Sequence, residues 1–334
     1  MASEHVDVSV LIPVLNEEQH VREAVASMRA QRFDGTVELV FIDGASTDRT
    51  RSILEELARS DDRVRVLDNP ARRTPNGLNV GLRASRGEFV ARMDAHTLYP
   101  PDYLARGVER LRRGDVAHVS GPQIARGEGT WSRRVALALD SKLGTGGVGF
   151  RHASGGEIEV DSGFTGVWRR STLDRYGGWD EGWPQNQDAE LAARIRDDGG
   201  RLVCVPQMAA EYVPRDSLRL LARQYWRYGM YRAKTSGRHP DSMRRTHLLA
   251  PGVALCAVGA LLPGRPGRAA RAGLLVYALA LAGAGAGAAR SASGSDAAAV
   301  PVVLAVMHLS WGFGFLAGSA RFGPPLRALA RLAR

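Results

Sequence analysis

Two short stretches of this chain place carboxylates where chemistry could use them. The apolar run Phe89–Met93 ends directly in Asp94, and His96 follows two residues later. In an α/β protein, ligands settle in the crevice beyond the carboxyl ends of the strands, so Asp94 and His96 offer that crevice two potential ligands for a divalent cation. A nucleotide diphosphate with its cation would sit there. Farther along, WPQNQDAELAARIRDDGG puts Asp188 and Glu190 at the start of a helical pattern, where the helix dipole favours negative charge. Between them the two segments supply a metal site and a base.

Those side chains need a scaffold. Strand-like runs at Val6–Pro13, Val37–Ile42, Val64–Leu67, Phe89–Met93 and Val116–Ser120 alternate with stretches of helical period, the order that builds a mostly parallel sheet covered by helices. The first helix is predicted from Glu17 to Gln31. The second takes Ser46 or Thr47 as its cap and Asp48 in its first turn, with Ile53, Leu54 and Leu57 on one face. Each carboxylate also has a plainer reading: Asp94 could cap the segment that begins near Tyr99, Asp43 could close a turn, and Glu17 could merely open a helix.

The 334 residues could hold two average domains, but apolar content is unevenly spread. Residues up to about Thr235 read as an aqueous globular domain. After His247 the chain turns to Ala, Gly, Leu and Val in three windows, Leu248–Pro263, Gly273–Ala289 and Ala297–Ala320. The second and third are long enough to cross roughly 30 Å of hydrocarbon as helices, and the first barely so. The formal charge of +10 is mostly arginine. Nucleic acid, phosphate-bearing substrates or an anionic membrane would each suit such an excess. No nucleic-acid fold signature is present, and Arg244, Arg245, Arg265, Arg268, Arg271, Arg327, Arg331 and Arg334 flank the apolar windows, so the membrane is the expected partner. Asp216–Ser236, rich in arginine and in the rings of Tyr225, Trp226, Tyr228 and Tyr231, suits the membrane interface. Cys204 and Cys256 lack metal or disulfide spacing and read as packing residues. No basic region followed by an apolar core opens the chain, so the first domain is expected in the cytoplasm.

Read in order, five segments resemble family 2 glycosyltransferases of GT-A fold: VSVLIPVLNEE (Val8–Glu18), VELVFIDGASTDRT (Val37–Thr50), GLNVGLRASRGEFVARMDAH (Gly77–His96), SGFTGVWRRSTLDRYGGWDE (Ser162–Glu181) and NQDAEL (Asn186–Leu191). The DAH variant and the glycine-rich stretch Leu143–Phe150 look most like succinoglycan-type glucosyltransferases of exopolysaccharide assembly. The resemblance implies a nucleotide-diphosphate sugar, UDP-glucose by likeness to that group, and a cofactor of Mn²⁺ or Mg²⁺ at Asp94. His96 stands where the wider family has a second Asp. Asp188 matches the family's base, with Glu190 as its rival. Asp43 is similar to the aspartate that contacts the donor's base or ribose, and Glu17 to another nucleotide contact. Pro13, Asn79 and Arg92 fall inside matching segments and are counted with the substrate-binding positions. Gln224 and Arg227 in QYWRY resemble the QxxRW element of processive synthases, with Tyr228 replacing Trp. Leu143–Gly156 is expected to be a mobile lid near the donor.

The expected protein is therefore an inverting, metal-dependent glycosyltransferase: a cytoplasmic GT-A domain over 1–235, a membrane region over 247–320 and a basic tail over 321–334. Its expected acceptor is a lipid-linked saccharide in the same membrane, where tethering raises effective concentration. Other polysaccharide-assembly proteins are further expected partners. A processive synthase needs a pore that three short Ala/Gly-rich windows build poorly, and a non-catalytic scaffold has no need of Asp43, Asp94 and Asp188 together. Charge asymmetry further predicts two true spans with both termini cytoplasmic, Leu248–Pro263 dipping in and returning.

Overall fold

The computed structural model describes residues 5–145, 155–290 and 292–334. The chain forms two compact units, Met1–Ile124 with Gly149–Tyr212, and Ala125–Val148 with Val213–Arg334. In chain order the elements are β1 (Val8–Val14), α1 (Val21–Arg29), β2 (Val37–Asp43), α2 (Thr50–Ser60), β3 (Val64–Asp68), α3 (Thr74–Ala84), β4 (Phe89–Arg92) and β5 (Thr97–Leu98). There follow α4 (Tyr103–Arg112), β6 (His118–Ser120), β7 (Gln123–Ala125), α5 (Thr130–Asp140), α6 (Lys142–Thr145), β8 (Ile158–Glu159), β9 (Gly166–Arg169), α7 (Arg170–Tyr176) and α8 (Gln187–Asp197). The chain continues through β10 (Leu202–Cys204), β11 (Ala210–Tyr212), α9 (Leu218–Arg238), α10 (Leu249–Gly259), α11 (Gly264–Ala288), α12 (Gly294–Phe322) and α13 (Leu326–Leu332).

In the first unit the strands are ordered β3-β2-β1-β4-β9-β6-β10-β8, with a small sheet β5-β11-β7 beside them. β1 through β4 are parallel, while β9 runs antiparallel between β4 and β6, and β8 antiparallel on β10. Residues facing both sides of β1, such as Val10, Leu11 and Ile12, are buried, as expected of a strand covered on both faces. Helix α1 covers the sheet with Val21, Ala24, Val25 and Met28, spaced three and four apart. The start of α2 differs from the sequence expectation. Neither Ser46 nor Thr47 caps it; Asp48 lies just ahead of it, and its Oδ1 accepts the Thr50 amide at 3.0 Å.

The second unit is helical. α9 and α12 approach so closely that a Cβ on Gly314 would fall 2.1 Å from the Trp226 carbonyl oxygen, and one on Gly318 2.4 Å from that of Met230. Ion pairing holds α5 to the start of α12, where Arg134 Nε meets Asp296 Oδ1 at 3.0 Å. Tyr277 Oη lies 3.0 Å from His308 Nδ1, linking α11 and α12. At 11 residues α10 is about 16 Å long, half of what a span requires. Among the described residues two helices, α11 and α12, are long and apolar enough to cross a membrane.

Candidate active site

Three neighbouring strands bring the candidate residues to one edge of the sheet. The chain leaves β1 for β2 and β3 and returns to β4 on β1's other flank, so the order reverses between β1 and β4. Doubly wound sheets open a crevice at the carboxyl ends of such strands. Register sets Val14 opposite Asp43 and Leu11 opposite Arg92, aligning the strand ends.

Asp43 closes β2 and is buried, accepting from Ser46 Oγ at 2.6 Å and from the Ser46 amide at 3.2 Å. Pro13 lies half-buried opposite Ile42. The loops after β1 and β2 are laced together: the Asn16 amide donates to Ser46 Oγ at 2.9 Å and the Glu17 amide to Thr50 Oγ1 at 2.8 Å. Asn16 and Ala45 both have φ of 56°, a left-handed conformation that non-glycine residues adopt mainly where the surroundings enforce it. Glu17 Oε1 lies 3.2 Å from His96 Nδ1, so this carboxylate faces the imidazole two residues past Asp94.

Arg92, the last residue of β4, ties two carboxylates together. Its Nε and Nη2 contact Asp94 Oδ1 at 3.1 and 3.0 Å, and its Nη1 makes a short contact with Asp188 Oδ1. The Asp94 amide donates to the phenolic oxygen of buried Tyr99 at 2.7 Å. Asp94 caps no helix, since α4 starts after Asp102. Asp188 sits in the first turn of α8 behind Asn186, whose φ is 61°. Burial pushes the Asp188 carboxyl above its ordinary range, while the adjacent Arg92 charge pulls it partly back. A carboxylate so raised is a better proton acceptor than a solvated one.

Glu190, the rival base, is fully buried and bound by Arg194 one turn on, at 2.8 Å; Arg194 also donates to the carbonyls of Tyr176 and Gly178. That network organises the turn ahead of α8. Asn79 is likewise engaged within the protein: Nδ2 donates to the Trp179 carbonyl at 2.8 Å and to Glu181 at 3.1 Å, and Oδ1 accepts the Trp179 amide at 3.0 Å. Gln224 and Arg227 belong to α9 of the second unit, where Gln224 Nε2 donates to Tyr228 Oη at 3.0 Å and Arg227 is exposed. The expected lid falls largely on 146–154, outside the described residues. Sequence reasoning missed Ser46 as Asp43's partner, though it had marked that serine as a helix cap. It also missed Tyr99, for which no local pattern existed.

No three His, Cys, Asp or Glu gather into a cation cage among the described residues. The donor set would suit a cation that takes most of its ligands from elsewhere. Asp94 Oδ1 is taken by Arg92 and its Oδ2 has no partner among the described residues, which leaves one hard oxygen for Mg²⁺ or Mn²⁺, with phosphates and water completing the shell. The His96 imidazole is a softer donor beside it in sequence, better matched to Mn²⁺.

A mixed sheet with flanking helices and carboxylates at its switch point is the architecture of GT-A glycosyltransferases. A solved structure of that kind, the mannosyltransferase PcManGT from Pyrobaculum calidifontis in complex with GDP-Man and Mn²⁺, matches over 99% of this chain and 88% of its own, with a TM-score of 0.54 and 20% identity. Residues 9–177 match the model of glycosyl transferase family 2, and the chain belongs to that family. It is 34% identical to the succinoglycan biosynthesis protein ExoA of Rhizobium meliloti, over 92% of this chain and 93% of that protein. It is also 30% identical to the GalNAc(5)-diNAcBac-PP-undecaprenol β-1,3-glucosyltransferase of Campylobacter jejuni, over 40% of this chain and 45% of the relative.

Proposed function

We propose that this chain is an inverting, metal-dependent glycosyltransferase that moves glucose from UDP-glucose to a lipid-linked saccharide in exopolysaccharide biosynthesis, with a cytoplasmic GT-A domain over 1–235 and a membrane region over 247–320. The observation that carries this reading is the buried Asp188 carboxylate, set at a helix start and joined through Arg92 to Asp94 at the sheet's switch point. Asp188 takes the proton of the acceptor hydroxyl as its oxygen attacks the anomeric carbon from the face opposite the diphosphate. The bond from that carbon to the phosphate oxygen breaks, the nucleoside diphosphate leaves with the electron pair, and the configuration inverts. A positioned base contributes about 10² to 10⁴ in rate, on the order of 3 to 5 kcal/mol.

Asp94, with His96, holds the cation, which when bound offsets the charge of the diphosphate. Asp43 and Glu17 accept hydrogen bonds from ribose hydroxyls or the imide N–H of the base, which gives recognition without charge attraction. A lipid-linked acceptor agrees with the undecaprenol-linked acceptor named for the Campylobacter relative and with the apolar α11 and α12. The shortness of α10 supports two spans, with both chain ends cytoplasmic.

The test is to incubate membranes carrying the chain with a panel of labelled nucleotide sugars and extract the lipid fraction. Label is expected there from UDP-glucose, dependent on Mn²⁺ or Mg²⁺ and lost with Asp188→Asn. Label from a different nucleotide sugar alone overturns the donor, and label only in aqueous polymer overturns the acceptor. In intact cells, cysteines introduced near Gly267 and at the C-terminus should escape an impermeant reagent. Modification of both establishes three spans.

A further inference from the structure

Arg92 was grouped by sequence with the residues that touch the donor, yet its surroundings give it another task. The guanidinium is buried at the end of β4, and three of its nitrogens are engaged by two carboxylates of the protein. One, Asp94, is two residues away on the same segment; the other, Asp188, lies 96 positions on, at the start of α8. Among the described residues Arg92 is the only ion-pair partner of Asp188. We infer that Arg92 is a positioning residue: its planar fork fixes the Asp188 carboxylate at a set spacing from Asp94, and it acts on transfer through Asp188 rather than by binding the donor. The inference rests on the proposed role of Asp188 as base.

The geometry explains why arginine is needed. β4 is locked between β1 and β9, with Arg92 opposite Leu11 on one side and Gly166 on the other, so the guanidinium leaves from a rigid main chain. A fork with nitrogens on two edges holds two carboxylates at once, which the single ammonium of lysine cannot do with the same directionality. Without the fork, the Asp188 side chain loses the one cationic group that holds it among the described residues and keeps only the Trp179 side chain as a favourable neighbour. A misplacement of about 1 Å at such a group costs on the order of 10² in rate.

The test is a double-mutant cycle on the purified full-length chain with UDP-glucose as donor, read as UDP release, alongside calorimetric binding of UDP with Mn²⁺. Arg92→Ala is expected to lower kcat on the order of 10²-fold without weakening UDP binding. Combined with Asp188→Asn, it should cost no more than Asp188→Asn alone, within about threefold. Guanidinium ion added to Arg92→Ala should restore turnover at least about tenfold, and should do nothing for the double variant. A UDP affinity weakened about tenfold with near-normal kcat makes Arg92 a donor contact and overturns the inference, as do losses that multiply in the double variant. Arg92→Lys keeps the buried positive charge and guards against misfolding. It should retain UDP binding with turnover reduced about tenfold, and full turnover in this variant also overturns the inference. Asp188→Asn alone judges the underlying reading: if it turns over normally, the base assignment falls whatever Arg92 does.

Discussion

The two units bury different things. Among the described residues, the buried charged side chains Glu38, Asp43, Arg92, Arg110, Asp188 and Glu190 all belong to the first unit, whereas the second closes its helix seams on glycine and places Asp296 and Arg134 at a partly exposed helix end. Buried charge is tolerated only when paired, and removing one partner leaves the other uncompensated. A glycine seam has no such vulnerability but cannot accept volume. The first unit should therefore be sensitive to the chemistry of single atoms as well as to their size, and the second chiefly to their size.

The strongest test of that contrast is Asp188→Asn, which keeps shape and removes the proposed proton acceptor. Turnover should fall by about 10² to 10⁴ while UDP binding stays near its original value; steady-state kinetics beside calorimetry would show both. Asp94→Ala comes next. Mn²⁺-dependent UDP affinity should drop at least about tenfold, and unchanged affinity in a titration would return Asp94 to a structural role.

In the second unit, Gly314→Ala forces a methyl group to within 2.1 Å of the Trp226 carbonyl oxygen. Overpacking of this kind costs about 1 to 3 kcal/mol, and it should appear as a lowered unfolding midpoint of the helical unit with UDP binding by the first unit preserved. Weakened UDP binding together with the lowered midpoint would break the contrast.

The smallest effect is a pH dependence placed in the first unit. His118 is buried against Trp168, and neither ring nitrogen has a hydrogen-bond partner within bonding geometry among the described residues. Burial pushes its pKa down to about 3, with the nearby Thr165 backbone a minor offset. The fold therefore keeps this imidazole neutral, while the unfolded chain takes up a proton below about 6.5. Its contribution is fully present above that pH and is lost as pH falls toward 3, by at most about 1.4 kcal/mol per unit. Denaturant titrations from pH 7 to 5 should show this slope in the parent chain and a shallower one in His118→Phe, which keeps the stack on Trp168.

Much of the first unit was legible because its strands are apolar runs that stop at charged residues. Val37–Ile42 stopping at Asp43 and Phe89–Met93 at Asp94 gave both elements and candidate ligands from local pattern alone. Asp188 and Glu190 could not be separated that way, since both fit a helix's first turn. What separates them is distant in sequence: Arg92 reaches Asp188 from β4, and Glu190 is engaged by Arg194, whose other bonds hold the Gly178 turn. The partners of Asn79 are equally distant in sequence, being the backbone of Trp179 and the Glu181 side chain. β9 was not anticipated, because the four residues GVWR carry too short a pattern to reveal an antiparallel insertion. In the second unit, hydropathy located α11 and α12 but gave no sign that α5 belongs with them, a grouping in which the Arg134–Asp296 pair takes part.

The register of β1, β2 and β4 has a consequence for how this protein can vary. With Val14 opposite Asp43 and Leu11 opposite Arg92, the strands act as rulers that count out where each acidic group emerges. Side chains alternate faces along a strand, so losing one residue between Phe89 and Arg92 would turn the guanidinium to the opposite face of the sheet, away from Asp188. Lineages descended from this chain should accumulate almost no insertions or deletions within Val8–Val14, Val37–Asp43 or Phe89–Arg92.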